Sequence, residues 1–237
     1  MPQLVAQILN AHYILVSKKI EDLKAKLKTL KPRGGIEMSQ ALYLLKITLE
    51  GCHVKIWRKF VVPSNLRLDQ LHDVIQNVMG WQDGHLHEFV IDGESFGVPD
   101  PDDDWGDEEM QPEKKYRLDK VLAPGIDKFE YLYDFGDGWE HTIKVESLNH
   151  CDETGKVIFC LDGKGTCPPE DCGGSGGYAD FCEAINNPKH PEHESMKEWI
   201  GDEETTWPDG FNLEGVNQYL AAYAETLPKS KKKAAKA

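Results

Sequence analysis

The chain has 237 residues, a formal charge of −14 at pH 7, 40% hydrophobic residues and 29% charged ones. Such a composition belongs to a globular protein long enough to bury a core. It disfavours nucleic-acid binding by the body, because a duplex-binding surface needs a basic patch. No run of about 18 apolar residues offers a membrane span. No basic segment leads into an apolar core and a small-residue cleavage site, so no secretory signal is read. A cytoplasmic location is therefore expected, with the six cysteines as free thiols.

Residues 1–33 read as an amphipathic N-terminal helix. Leu9, Tyr13, Val16, Ile20, Leu23, Leu27 and Leu30 recur at alternating spacings of four and three, which is a heptad stripe. Lys31-Pro32-Arg33-Gly34-Gly35 ends it. The stripe predicts either a homodimer through this helix or docking on the body, with the dimer preferred because the apolar seam is narrow.

The period then changes to two. Tyr43, Leu45, Ile47 and Leu49 alternate as a strand does, and Ile56 to Val62 form a second strand closed by Pro63. Ser64 or Asn65 is expected to cap a helix carrying Leu68, Leu71, His72, Ile75, Val78 and Met79, which Gly80 ends. His85 to Ile91 reads as the third strand. Residues 98–113 hold eight acidic residues and three prolines, a solvated loop. It lacks the glycine and glutamate that a hand-type calcium loop requires.

Arg117 to Leu122 reads as a short strand or helical turn. Phe129–Asp134 and Trp139–Ser147 form a hairpin about Asp137-Gly138. A glycine- and proline-rich stretch follows Cys160. Helices are expected over Tyr178–Asn186 and Asn212–Leu227. The β-β-α-β start predicts an α+β fold: a mixed or mainly antiparallel, roll-like sheet with packed helices. The expected domains are residues 1–33, a body at 36–227, and a basic tail at 228–237.

Several strings in order carry a family resemblance. They are Ile56-Trp57-Arg58-Lys59, Leu71-His72, Gly80-Trp81, His85-Leu86-His87-Glu88-Phe89, Tyr133-Asp134-Phe135-Gly136-Asp137-Gly138-Trp139-Glu140-His141 and Cys167-Pro168-Pro169-Glu170-Asp171-Cys172-Gly173-Gly174. Over roughly residues 41 to 223 the chain resembles the Ri-plasmid Orf-three-like family, some members of which are described as passengers of an insertion element. The resemblance implies an α+β roll and no particular activity. A resolvase is not supported, because the nucleophilic serine and arginine cluster it needs are not visible.

The candidate polar site comprises His85, His87, Asp134, Asp137, His141, Glu170 and Asp171. On a strand, His85 and His87 would share a face, and His141 would share the apolar face of Trp139, Ile143 and Val145. Imidazole titrates near neutrality and ligates metals. With the thiols of Cys167 and Cys172, the histidines His85, His87 and His141 would suit a divalent metal such as zinc. The plainer reading is a core histidine at 141 and a rigid loop at 167–172, whose Glu170 and Asp171 accept N–H bonds from the following glycines. Gly173 to Gly177 lacks the lysine and hydroxyl of a phosphate loop.

No catalytic motif is complete. A non-catalytic binding or assembly module is the leading expectation. A metal-dependent enzyme, such as a hydrolase, comes next. A mobile-element accessory touching DNA through the basic tail is third.

Overall fold

The computed structural model describes residues 41–99, 110–122, 125–150, 158–201 and 206–227. The N-terminal helix, the basic tail and most of the acidic run lie outside the described residues. Within them the chain is a mixed α+β fold, as the periodicity predicts.

Eight strands form one sheet. In chain order they are β1 (Ala41–Leu49), β2 (Ile56–Pro63), β3 (His87–Ile91), β4 (Glu94–Gly97), β5 (Gln111–Pro112), β6 (Lys128–Tyr133), β7 (Trp139–His150) and β8 (Phe159–Lys164). Their spatial order is β5-β4-β3-β6-β7-β1-β2-β8. Every pairing is antiparallel except the short parallel contact of β4 with β5. The strands flanking Asp137-Gly138 pair with each other as expected, Tyr133 opposite Trp139 and Phe129 opposite Ile143.

In β1 the expected alternation is interrupted. Its register against β7 shifts between Leu44 and Leu45, a bulge that moves the buried set from Leu42 to Leu45, Ile47 and Leu49. Tyr43 is left half-buried.

Five helices lie among the described residues: α1 (Leu68–Met79), α2 (Leu118–Val121), α3 (Gly174–Asn186), α4 (His193–Ile200) and α5 (Leu213–Thr226). Leu68, Leu71, Val74, Ile75, Val78 and Met79 bury one face of α1 in the core, as three- and four-residue spacing requires. The helix starts two or three residues later than a Ser64 or Asn65 cap implies. Arg67 occupies the cap position, and Gln70 accepts its backbone N–H at 3.1 Å.

The strands β4 and β8 and the helix α4 correct the sequence reading, which assigned none of them. Asp92 and Gly93, both with positive φ (54° and 81°), make the tight turn from β3 to β4. The outer strand β8 pairs with β2, and Asn217 of α5 covers its other edge. The Asn217 Oδ1 accepts from Cys160 N at 2.8 Å and its Nδ2 donates to Cys160 O at 3.0 Å. A side-chain amide thus occupies the place of a neighbouring strand.

The segment before α3 is pinned by backbone carbonyls. Tyr178 Oη donates to Thr166 O at 2.9 Å, Trp207 Nε1 to Cys167 O at 3.3 Å and Trp81 Nε1 to Pro168 O at 3.2 Å. These contacts fix the loop that carries Glu170 and Asp171.

Candidate metal centre

Three loops converge on His85. The first, residues 82–86, links α1 to β3. Gln82 N donates to Glu170 Oε1 at 2.8 Å, Asp83 N to Gln76 Oε1 at 2.9 Å, and Gly84 N to Tyr133 Oη at 3.0 Å. The second is the β6–β7 connection, which begins at Asp134, whose N–H donates to Leu86 O at 2.9 Å. The third is the loop Cys167–Gly173.

His85 Nε2 stands 3.3 Å from Asp171 Oδ1, 3.6 Å from Asp134 Oδ2 and 3.7 Å from Glu170 Oε2. None of these approaches is aligned as a hydrogen bond. One ligand atom each from His85, Asp134 and Asp171 falls within 4.8 Å of the others, the one such group of metal-ligating side chains among the described residues. Two ligands each about 2.1 Å from a shared ion stand roughly 3–3.5 Å apart. The spacing is therefore close to that of a coordination shell.

The carboxylates are held from behind. Asp134 Oδ1 accepts from Gly136 N at 2.9 Å and Asp137 N at 3.3 Å, leaving Oδ2 toward His85. Glu170 Oε1 accepts from Gln82 N and from Tyr133 Oη at 3.0 Å, while its buried Oε2 has no hydrogen-bond partner among the described residues. Burial first, then the Glu170 charge, raises the Tyr133 phenol far above its ordinary range, so it stays a donor. Asp134 and Asp171 both take left-handed backbone, with φ of 54° and 56°. Aspartate tolerates this conformation better than most residues, yet at a cost, and here both such turns present a carboxylate to one imidazole.

Asp137 plays a different part. Its Oδ2 accepts Gly173 N at 3.0 Å, knitting the second loop to the third. This corrects the expectation that Glu170 and Asp171 take the glycine N–H groups of their own loop. The connection is also longer than a two-residue Asp-Gly turn: Gly138 N donates to Asp134 O at 2.7 Å around the intervening residues.

The structure does not bring His87, His141, Cys167 or Cys172 into this group. His87 Nε2 donates to Glu113 Oε2 at 2.8 Å, and its ring stacks on His72 with centroids 3.5 Å apart. In the same buried network Gln76 Nε2 donates to Tyr131 Oη at 3.1 Å, and Tyr131 Oη lies 2.8 Å from His72 Nδ1. His72 Nε2 lies 2.7 Å from Asp83 Oδ1. Burial, then His87, lowers the pKa of His72, which favours its neutral imidazole. His141 lies on the buried face of β7 with Trp139 and Ile143. Its Nδ1 is 3.1 Å from Tyr131 O, and burial pulls its pKa down to about 4. Burial raises the Cys167 thiol well above its ordinary range and pushes Cys172 up to about 12, so both are protonated. The five cysteines within the described residues are free thiols.

His85, Glu170 and Asp171 line a cleft of about 770 Å³, with Arg58, Trp199, Trp207, Phe211 and Tyr219 on other parts of its wall. Its far wall comes from α4 and α5, the former absent from the sequence reading.

The model of the plasmid pRiA4b ORF-3-like protein family matches residues 41–218. The chain belongs to that family. It is 42% identical over 164 residues to the uncharacterized protein y4hQ of Sinorhizobium fredii (strain NBRC 101917 / NGR234), covering 69% of this chain and 83% of the relative. Among solved structures it is similar to a protein of unknown function, MM3350, from Methanosarcina mazei Go1. That similarity has a TM-score of 0.65 and 32% identity, covering 75% of this chain and 98% of the other. No helix among the described residues is long and apolar enough to cross a membrane.

Proposed function

We propose that this family member is a binding module that holds one divalent cation at His85, Asp134, Glu170 and Asp171, on the rim of the cleft. The observation that carries the reading is the approach of three carboxylates to one imidazole nitrogen at 3.3–3.7 Å without a hydrogen bond. A protonated His85 would offset only one of the three negative charges, whereas a dication offsets two and gives the unpartnered Glu170 Oε2 a ligand. A shell of carboxylates and one imidazole suits manganese or zinc, not a thiolate site.

Calorimetric titration of chelator-stripped protein with Mn(II) and Zn(II) tests it. One ion per chain is expected. Asp134→Asn keeps an acceptor for Gly136 and Asp137 while losing the charge, and weakens binding at least about tenfold. Equal affinity in the wild type and in both Asp134→Asn and His85→Ala would remove the site.

A second reading, metal-dependent hydrolysis, is favoured by one observation. Asp171 is largely exposed and the group opens on a cleft, leaving room for a bound water whose pKa the ion would lower. Turnover of nitrophenyl esters or phosphates by metal-loaded wild type, absent in Asp134→Asn, would establish it. Stoichiometric metal without turnover would keep the binding reading.

A further inference from the structure

Arg58, on β2, is 2% exposed. Its Nε donates to Val78 O at 2.8 Å, and Nη1 donates to Trp57 O and Lys164 O, both at 2.9 Å. The Phe211 ring centre lies 4.2 Å from Cζ. These carbonyls and the ring satisfy donors without neutralising the charge. No carboxylate pairs with Arg58 among the described residues. The acidic groups that act on it are Cys167, Cys160 and Tyr178, all kept protonated by burial. A buried cation with no counter-charge is costly.

Two further observations give this arginine a direction. Its Nη2 has no hydrogen-bond partner among the described residues, and Arg58 lines the cleft. The stack with Phe211 is built into the sheet. On β8, opposite Arg58, stands Gly163. A Cβ there would meet Phe211 at 2.6 Å and Arg58 Cδ at 2.9 Å, so the glycine makes room for the pair.

We infer that the cleft binds a small organic oxyanion, its head on the Arg58 guanidinium and its planar or apolar body against Trp199, Trp207, Phe211 and Tyr219. The two N–H groups of Nη2 are the donors left to an oxyanion, phosphate or carboxylate alike, and the indole, phenyl and phenol faces suit a flat body. The inference stands apart from the cation site, so it is tested in the presence of EDTA.

The probes are phenyl phosphate, benzoate and phenol, titrated calorimetrically at low salt. One or both anions bind at least about tenfold tighter than phenol, and the preference shrinks as sodium chloride rises. Preference for phenyl phosphate or for benzoate tells which head group the site takes. Arg58→Lys keeps the charge and loses the Nη2 donors, lowering anion affinity about tenfold while phenol affinity stays the same. Phenol binding as tightly as both anions, or a folded Arg58→Lys protein binding them as the wild type does, overturns the inference. If the variant does not fold, arginine-selective nitrogen spectra of the wild type give the answer. A buried guanidinium resonance must move with the anion and not with phenol; no such movement overturns it equally.

Discussion

Trp139, His141 and Glu170 each bury a polar side-chain atom that meets no hydrogen-bond partner among the described residues. For Glu170 the cation reading supplies one. For His141 the consequence is a titration. Its imidazole is neutral in the fold because burial holds its pKa near 4, whereas in the unfolded chain it takes a proton near pH 6.5. Above that pH the residue is neutral in both states and its contribution is constant. As pH falls from 6.5 toward 4 the unfolded state gains a proton that the folded state refuses, and about 3 kcal/mol of stability is lost. His72, whose pKa is also lowered, acts in the same direction. Urea midpoints measured from pH 7 to 4.5 should fall, and fall less steeply in His141→Leu. A variant as steep as the wild type would assign the acid sensitivity to other groups.

Gly177, in the first turn of α3, illustrates how an element holds the site. A Cβ there would stand 1.8 Å from Cys172 O; only hydrogen fits where the loop of Glu170 and Asp171 runs into the helix. Gly177→Ala should cost about 1–3 kcal/mol and weaken metal binding as the loop shifts. A calorimetric melt and a Mn(II) titration check both parts. Unchanged metal affinity at lowered stability would mean that the loop keeps its place without the helix.

Element by element, legibility followed how local the cause was. The change of period from β1 and β2 to α1 is written in neighbouring residues, as is the β6–β7 pairing. The strand β4 also has a local signal, the Asp92-Gly93 turn that precedes it. In contrast, β8 ends in Gly163-Lys164, a poor strand sequence that is held by pairing with β2 and by Asn217. The short helix α4 follows two prolines, and its apolar stripe is only Met196, Trp199 and Ile200, a single turn. The site was half legible for the same reason. Its carboxylates could be chosen from the sequence, but alternation grouped His85 with His87, and His85 precedes the strand, which begins at His87. Only tertiary pinning of residues 82–86 turns that ring toward Asp134 and Asp171.

At the scale of the whole molecule two proposals remain. The heptad stripe of residues 1–33 is a sequence feature outside the described residues, and we propose that it joins two copies. Light scattering should give a dimer for the full chain and a monomer once residues 1–33 are removed. A full-length monomer would contradict this, and a dimer surviving the deletion would move the interface to the body. The central proposal is the cation at the meeting of three loops, and anomalous scattering tests it most directly. Crystals grown with manganese should show one strong anomalous peak within about 2.5 Å of His85 Nε2 and of Asp134 Oδ2. A peak elsewhere, or none with the same four side chains in view, would contradict the account.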